Sequence, residues 1–451
     1  MRTFYFIFLL AILSNELFAQ PASSQKTVIK NVNVISIDPS KPQIMPAQDV
    51  FVTDGKIQKI RATSSGKNKG YNIVDGTNKY LVPGMADMHV HLPTKSAVIQ
   101  TREFYLLNLL NGFTTVRQMR GKAADLVVRD SIRKGLWPGC NTYVSTPFFR
   151  DNEHFSAASC KDSLTRYKQQ GYDFVKYLYG LKPLEFDTLV ATAASLNMVV
   201  VGHAPGNDLE KAVSANEHSI EHIDPFVVLY QKDSLLFWKT IDKMVEKHLF
   251  HCPNLEWYII TGSQNPLDKK RNVYEQNAYG IGFMPEDTLD YLINEEADNY
   301  IKAYKKNPVG FAKGIIKLEE DITVYKSLLG KMHRKGVNLL ISATSGNYII
   351  PGYHCIDEME LFVAAGISPY ETIKCATYNA ADCLNETAKW GTITEGKQAD
   401  MVLLSANPLD DIKNLRKIES TIINGSFFTH DYLLGELKKY YPATVSAMKR
   451  K

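Results

Sequence analysis

Between about residues 83 and 379 the chain repeats one unit, a short apolar run followed by a longer amphipathic stretch. "AVIQTREFYLLNLLNG" and "KPLEFDTLVATAASLNM" are stretches of the second kind. A strand followed by a helix of that length returns to a neighbouring parallel strand, so the alternation predicts βα units. Eight candidate strands can be counted, at "MADMHVH", "TTVRQM", "TYVST", "YDFVKYLYG", "MVVVGHA", "SIEHI", "LFHCPNL" and "NLLISAT". Eight such units predict an α/β chain folded as a (β/α)8 TIM-type barrel, whose chemistry occupies the C-terminal ends of the strands. The long charged interval before the last of them, with "PEDTLDYLINEEADNYIKAYKK", reads as an extra helical excursion lying over the barrel mouth.

The two ends of the chain follow a different rule. "VFVTDGKIQKI" alternates on both sides of Asp54-Gly55, and "STIINGSFF" does so around Asn424-Gly425; both are two-residue hairpin signals. With the apolar run "ADMVLLS", these segments predict one small β-sandwich built from both ends and interrupted by the barrel. The expected division is a signal peptide over 1–19, sandwich over 20–82, barrel over 83–384, and the rest of the sandwich with a tail over 385–451.

The signal peptide is read from Arg2, an apolar core from Phe4 to Leu13, and a polar stretch ending in Leu17-Phe18-Ala19. The competing reading is an uncleaved anchor, but the run falls short of the 18 or so apolar residues that span a bilayer. The expectation is an exported protein, periplasmic or extracellular, with no stable membrane span after cleavage. A net charge of +4, with Lys and Arg interspersed among Asp and Glu, does not suggest a nucleic-acid partner. The six cysteines show neither CxxC nor a framework spacing, and read as scattered small apolar residues.

Candidate chemistry collects at the strand tips. His89 and His91 are two apart on the first strand, so their rings should share a face. The pair is either structural or metal-binding, and its place at a barrel strand's C-terminal end favours metal. Lys176 lies among aromatic and aliphatic neighbours on the fourth strand. A buried lysine needs a partner, a lowered pKa or a modification. It either reaches solvent or pairs with Asp173, or it captures carbon dioxide as a carbamate able to bridge two divalent metals. His203 ends the fifth strand and His222 the sixth. Each alone could be a core histidine, but four imidazoles and one lysine at the tops of strands one, four, five and six form a plausible set for zinc or a similar ion.

These residues resemble the amidohydrolase superfamily, and within it the exported prolidase-like and imidazolonepropionase-related group. "VPGMADMHVHL" is similar to its entry motif, "GYDFVKYLYG" to its bridging-lysine strand, and "VGHA" and "SIEH" to its remaining histidine strands. "PGYHCIDEMELFVAAGISPYETIKCATYNAADCL" and "GTITEGKQADMVLLSANPLDDI" are similar to its C-terminal signature. The resemblance runs from about Thr27 to Phe428. It implies two zinc ions, His89 and His91 on one and His203 and His222 on the other, bridged by carboxylated Lys176. It also implies a metal-generated hydroxide attacking the carbonyl of a small-molecule or short-peptide substrate: an amide, a cyclic amide or a dipeptide.

The departure is on the eighth strand, where "ATSG" aligned on the family pattern puts Thr344 at the position of the usual aspartate. A threonine hydroxyl neither ligates well when neutral nor ionises near pH 7. Glu153 and His154 in "FFRDNEHF", and His354 in "PGYHCIDE", are candidates for a relocated base, in loops expected to reach the barrel mouth. Two readings follow: a carbon–nitrogen hydrolase with an altered proton shuttle, or a metal-bearing binding protein on a hydrolase scaffold. A mononuclear deaminase-like site fits less well, since it also needs the aspartate and has no use for Lys176.

Overall fold

The computed structural model describes residues 26–66, 68–93, 101–150, 156–261, 302, 305–345 and 349–440. The proposed signal peptide, Glu153, His154 and most of the long interval before the eighth strand lie outside them.

All eight expected barrel strands are present: Met85–Val90, Phe113–Gln118, Asn141–Val144, Val175–Tyr179, Val200–Gly202, Ser219–Glu221, Phe250–Cys252 and Asn338–Leu339. Successive strands pair in parallel, in an arc of three and an arc that runs from the fourth strand to the eighth. A parallel bridge between Ser145 and Phe174 joins the arcs on one side. On the other, the Met88 amide donates to the Ile341 carbonyl at 3.0 Å, so strand one lies beside strand eight. The ladders are not one continuous closed sheet, but the strand order is that of a barrel.

Burial on both faces explains why these strands are so apolar. Every residue of Met85–Val90 and Phe113–Gln118 is buried. Helix Pro308–Lys335 leads back to the eighth strand. Asn307 caps its start, accepting the Gly310 amide at 3.0 Å, and Gly336 at φ 96° ends it. Its Tyr325, Leu328, Leu329 and Met332 join the largest apolar cluster. All six cysteines are buried and free, as small apolar residues would be.

The end segments pair as expected. Met401–Leu404 runs antiparallel to Tyr80–Pro83, with Met401 opposite Pro83 and Leu404 opposite Tyr80. This joins both chain ends in one set of eight strands around a core that includes Ile29, Val50, Leu81, Met401 and Ile422. Asp54-Gly55 and Asn424-Gly425 turn with positive φ throughout, the geometry of the tight hairpin turn their sequences favour. The two turns also touch: a Cβ on Gly425 would lie 2.9 Å from Gly55 Cα, so no larger residue fits. Beyond the last strand, helix His430–Tyr440 returns to the barrel, burying Leu433 and Leu437 with Leu106 and Leu109 of helix Thr101–Leu110.

Candidate metal centre

The four histidines expected at the strand tips lie together. Ring centres are 5.4 Å apart for His89 and His91, 4.9 Å for His89 and His222, and 4.6 Å for His203 and His222. His89 is buried, whereas His91, His203 and His222 are half-buried and accessible. The strand register slips between Asp87 and Val90, so His89 and His91 do not share a regular pleat; the irregularity aims both rings into the cluster. His222, at φ 70°, has left its strand, which lets its ring join the site while its neighbour Glu221 points into the barrel.

Burial depresses all four imidazoles, which are neutral donors at neutral pH. His91 is lowered to about 3 and His203 to about 2, by burial first and the Lys176 charge second. His89 and His222 are also held well below the ordinary range by burial.

Lys176 is 1% exposed. Burial lowers its amine to about 8, against the opposing pull of Glu221. It does not pair with Asp173, whose carboxylate accepts from the Val144 amide at 2.7 Å and from Arg129 at 3.2 Å. Lys176 Nζ has no hydrogen-bond partner among the described residues, and neither does the buried His222 Nδ1.

Behind the cluster is a buried polar network. Glu221 Oε2 accepts from His89 Nδ1 at 2.8 Å, and its Oε1 accepts from Arg117 at 2.8 Å and from Ser219 Oγ at 2.5 Å. Arg117 also donates through Nε to the Met88 carbonyl at 2.5 Å. A carboxylate can only accept, so His89 carries its proton on Nδ1 and presents a bare Nε2. Neither Arg117 nor Glu221 figured among the expected site residues. A charge in mid-strand in "TTVRQM" and another beside His222 in "SIEH" were the available signals, since buried charges need partners.

On the eighth strand's loop, Thr344 is buried at φ 56°, and its amide donates to Ser342 Oγ at 2.8 Å. Two other hydroxyls of this loop meet the His89–His91 segment: Ser345 Oγ accepts from the His91 amide at 3.0 Å, and Ser342 Oγ lies 3.2 Å from the His89 carbonyl. Ser342 Oγ donates to Asp87 at 2.5 Å, binding this loop to the first strand. His354 is not in an open loop. It lies in the first turn of helix Tyr353–Ala364, buried, with Nδ1 accepting from the Ile350 amide at 2.8 Å. Its four preceding residues turn tightly enough to start the helix there, with Gly352 at φ 72°.

A model of the amidohydrolase family matches residues 80–427, most of the chain. The chain belongs to the amidohydrolase family. Members of this family are generally metal-dependent. This amidohydrolase is 24% identical over 408 residues to the adenine deaminase of Bacillus subtilis (strain 168), covering 90% of this chain and 57% of the relative. It is 24% identical over 423 residues to the adenine deaminase of Listeria monocytogenes, covering 88% and 57%. The chain thus spans little more than half the length of these curated relatives. Among solved structures it superposes on a Xaa-Pro dipeptidase with bound methionine at a TM-score of 0.66 and 19% identity, covering 90% of this chain and 100% of that one. Bottromycin amidohydrolase gives 0.70 and 19%, covering 95% and 91%. At these identities the structures show a shared fold.

The donor set of this amidohydrolase fits metal ions in kind. A buried amine and a buried imidazole nitrogen, both without a partner among the described residues, stand in a cluster of neutral histidines, one of them backed by a carboxylate as metal-binding histidines commonly are. The rings meet edge to face or tilted, and among the described residues no three His, Cys, Asp or Glu side chains are arranged as a metal group. The rings would have to turn to present their nitrogens to a common ion.

Proposed function

We propose that this amidohydrolase is a metal-dependent hydrolase of carbon–nitrogen bonds, with His89, His91, Lys176, His203 and His222 as its ligands. The observation that carries this reading is that buried Lys176 Nζ and His222 Nδ1 have no hydrogen-bond partner among the described residues. Leaving such groups unsatisfied costs on the order of 1–3 kcal/mol each, a cost that ligation removes. Zinc ions held by these residues, with Lys176 as its carbamate, would supply Lewis acidity and water of lowered pKa.

The chain's own residues do the rest. Glu221 and Arg117 fix which nitrogen of His89 faces the site. The buried Lys176, with its lowered pKa, is partly in the uncharged form that reacts with carbon dioxide. Ser345 and Thr344 occupy the loop from which a carboxylate would exchange protons with the reacting water and the leaving group; acid–base roles of that kind are commonly worth about 10²- to 10⁴-fold in rate. Relatives named as adenine deaminases support carbon–nitrogen hydrolysis, and the dipeptidase fold neighbour favours amide, cyclic amide or dipeptide substrates within that class. We also propose export to the periplasm or beyond, for which N-terminal sequencing of the exported form is the check.

A second reading, a metal-bearing binding protein with little turnover, rests on the hydroxyls of Thr344 and Ser345 where an acid–base carboxylate is expected. Metal analysis of the purified protein, then a screen of dipeptides, N-acetylamino acids and cyclic amides, separates the two. Bound metal with turnover supports the hydrolase. Bound metal without turnover leaves the binding protein, and a metal-free protein that binds none on reconstitution overturns both.

A further inference from the structure

One wall of the histidine cluster is aromatic, and hydrolysis alone does not require it. After the seventh strand ends at Cys252, Asn254 at φ 55° turns the chain into helix Leu255–Thr261. That helix is fastened at its start. The amides of Leu255 and Glu256 donate to the two carboxylate oxygens of Glu358 at 3.0 and 2.6 Å, and Glu358 belongs to helix Tyr353–Ala364 after the eighth strand. A carboxylate at a helix N-terminus satisfies amides that have no partner within the helix.

Held in this way, Trp257 and Tyr258 pack edge to face at 5.0 Å, and each ring centre lies 6.1 Å from that of His222. Their surroundings differ. Tyr258 is buried and its hydroxyl donates to the Asp224 carboxylate, so it is a fixed support. Trp257 is half-buried, as is His222 beside it. Indole supplies a large, rigid apolar surface with a preference for edge or offset contact with a second ring.

We propose that Trp257, supported by Tyr258 and the Glu358 cap, is the specificity surface of the site and selects substrates with an aromatic group next to the hydrolysed carbon–nitrogen bond. The inference rests on the hydrolase reading for its kinetic form. A tryptophan that only closed the adjoining apolar cluster would affect stability and all substrates alike.

The test compares N-acetylphenylalanine with N-acetylalanine on the metal-loaded protein, in the parent, Trp257→Ala and Trp257→Phe, with melting temperatures as a folding control and calorimetric binding of N-acetylphenylalanine as a second readout. The parent is expected to favour the aromatic substrate. Trp257→Ala should shrink that preference by roughly ten- to a hundredfold, mainly through KM, while Trp257→Phe keeps most of it. An undiminished preference in Trp257→Ala, or none in an active parent, overturns the proposal. Calorimetric binding that Trp257→Ala abolishes, with no turnover of any amide by the parent, would overturn the hydrolase reading and leave the aromatic surface standing. Neither turnover nor binding would overturn both.

Discussion

Glu221 and His89, on the sixth and first barrel strands, are joined by a 2.8 Å hydrogen bond that settles the protonation of the imidazole before any metal arrives. In Glu221→Gln the amide group can donate as well as accept, so the wrong His89 nitrogen can become the bare one. Metal affinity should fall by about 10- to 100-fold while the fold persists. Competition with a chromophoric chelator measures this, and an unchanged affinity would refute the positioning role.

The other end of the same network predicts a stability effect. Arg117→Met leaves the buried Glu221 carboxylate without its cationic partner and should cost about 3–5 kcal/mol. Adding Glu221→Gln should recover part of that loss, because the unpaired charge is then gone. Denaturant titration of the two singles and the double forms the cycle, and strict additivity would mean that the two side chains are not coupled.

Lys176→Ala should lower the metal content of the purified protein. Bicarbonate should assist reconstitution of the parent and have no effect on the variant, since only a lysine amine can form the carbamate. Equal bicarbonate dependence in both proteins would remove Lys176 from the ligand set.

Ser345→Asp is expected to raise turnover more than Thr344→Asp. The Ser345 side chain already reaches the His91 amide, whereas the Thr344 amide is turned toward Ser342. The opposite ranking in kcat would return the aspartate's place to Thr344, where an aspartate would also tolerate φ 56° better than a β-branched residue does. Excess metal that restores the parent to the rate of either variant would show that the carboxylate served only as a ligand.

Glu256 lies largely buried near Asp357 and Glu358. Burial first, then those two charges, push its pKa up from 4.5 to about 8. As pH rises between those values the unfolded chain releases this proton while the folded chain retains it, so stability falls across the window. Glu256→Gln should therefore raise the melting temperature at pH 8.5 and do little near pH 4.5. A uniform shift at both would mean that packing, not ionisation, is responsible.

The barrel strands and both hairpin turns are legible in the sequence because each depends on local pattern: apolar runs of strand length, and Asp-Gly or Asn-Gly between alternating residues. The histidines and Lys176 are legible because strand ends converge in this fold. Arg117 and Glu221 are harder to read, because their meaning lies in a contact across 104 positions. Which of Thr344 and Ser345 holds the aspartate's place is hard to read for a local reason. A backbone at φ 56° has left the strand, so alternation no longer says which side chain faces the histidines. His354 reads as loop because Pro351-Gly352 signals a turn, yet that turn is the start of a helix.

The pairing of Tyr80–Pro83 with Met401–Leu404 has a consequence for biosynthesis. Some 318 positions separate Pro83 from Met401, its partner in the sheet. At ribosomal speeds of about 5–20 residues per second, the early strand waits on the order of tens of seconds with one edge unpaired. The barrel must be assembled, or be kept from aggregating, during that delay. A late truncation that removes Met401–Leu404 would leave a folded or half-folded barrel attached to an open sheet edge, the kind of edge that recruits other chains.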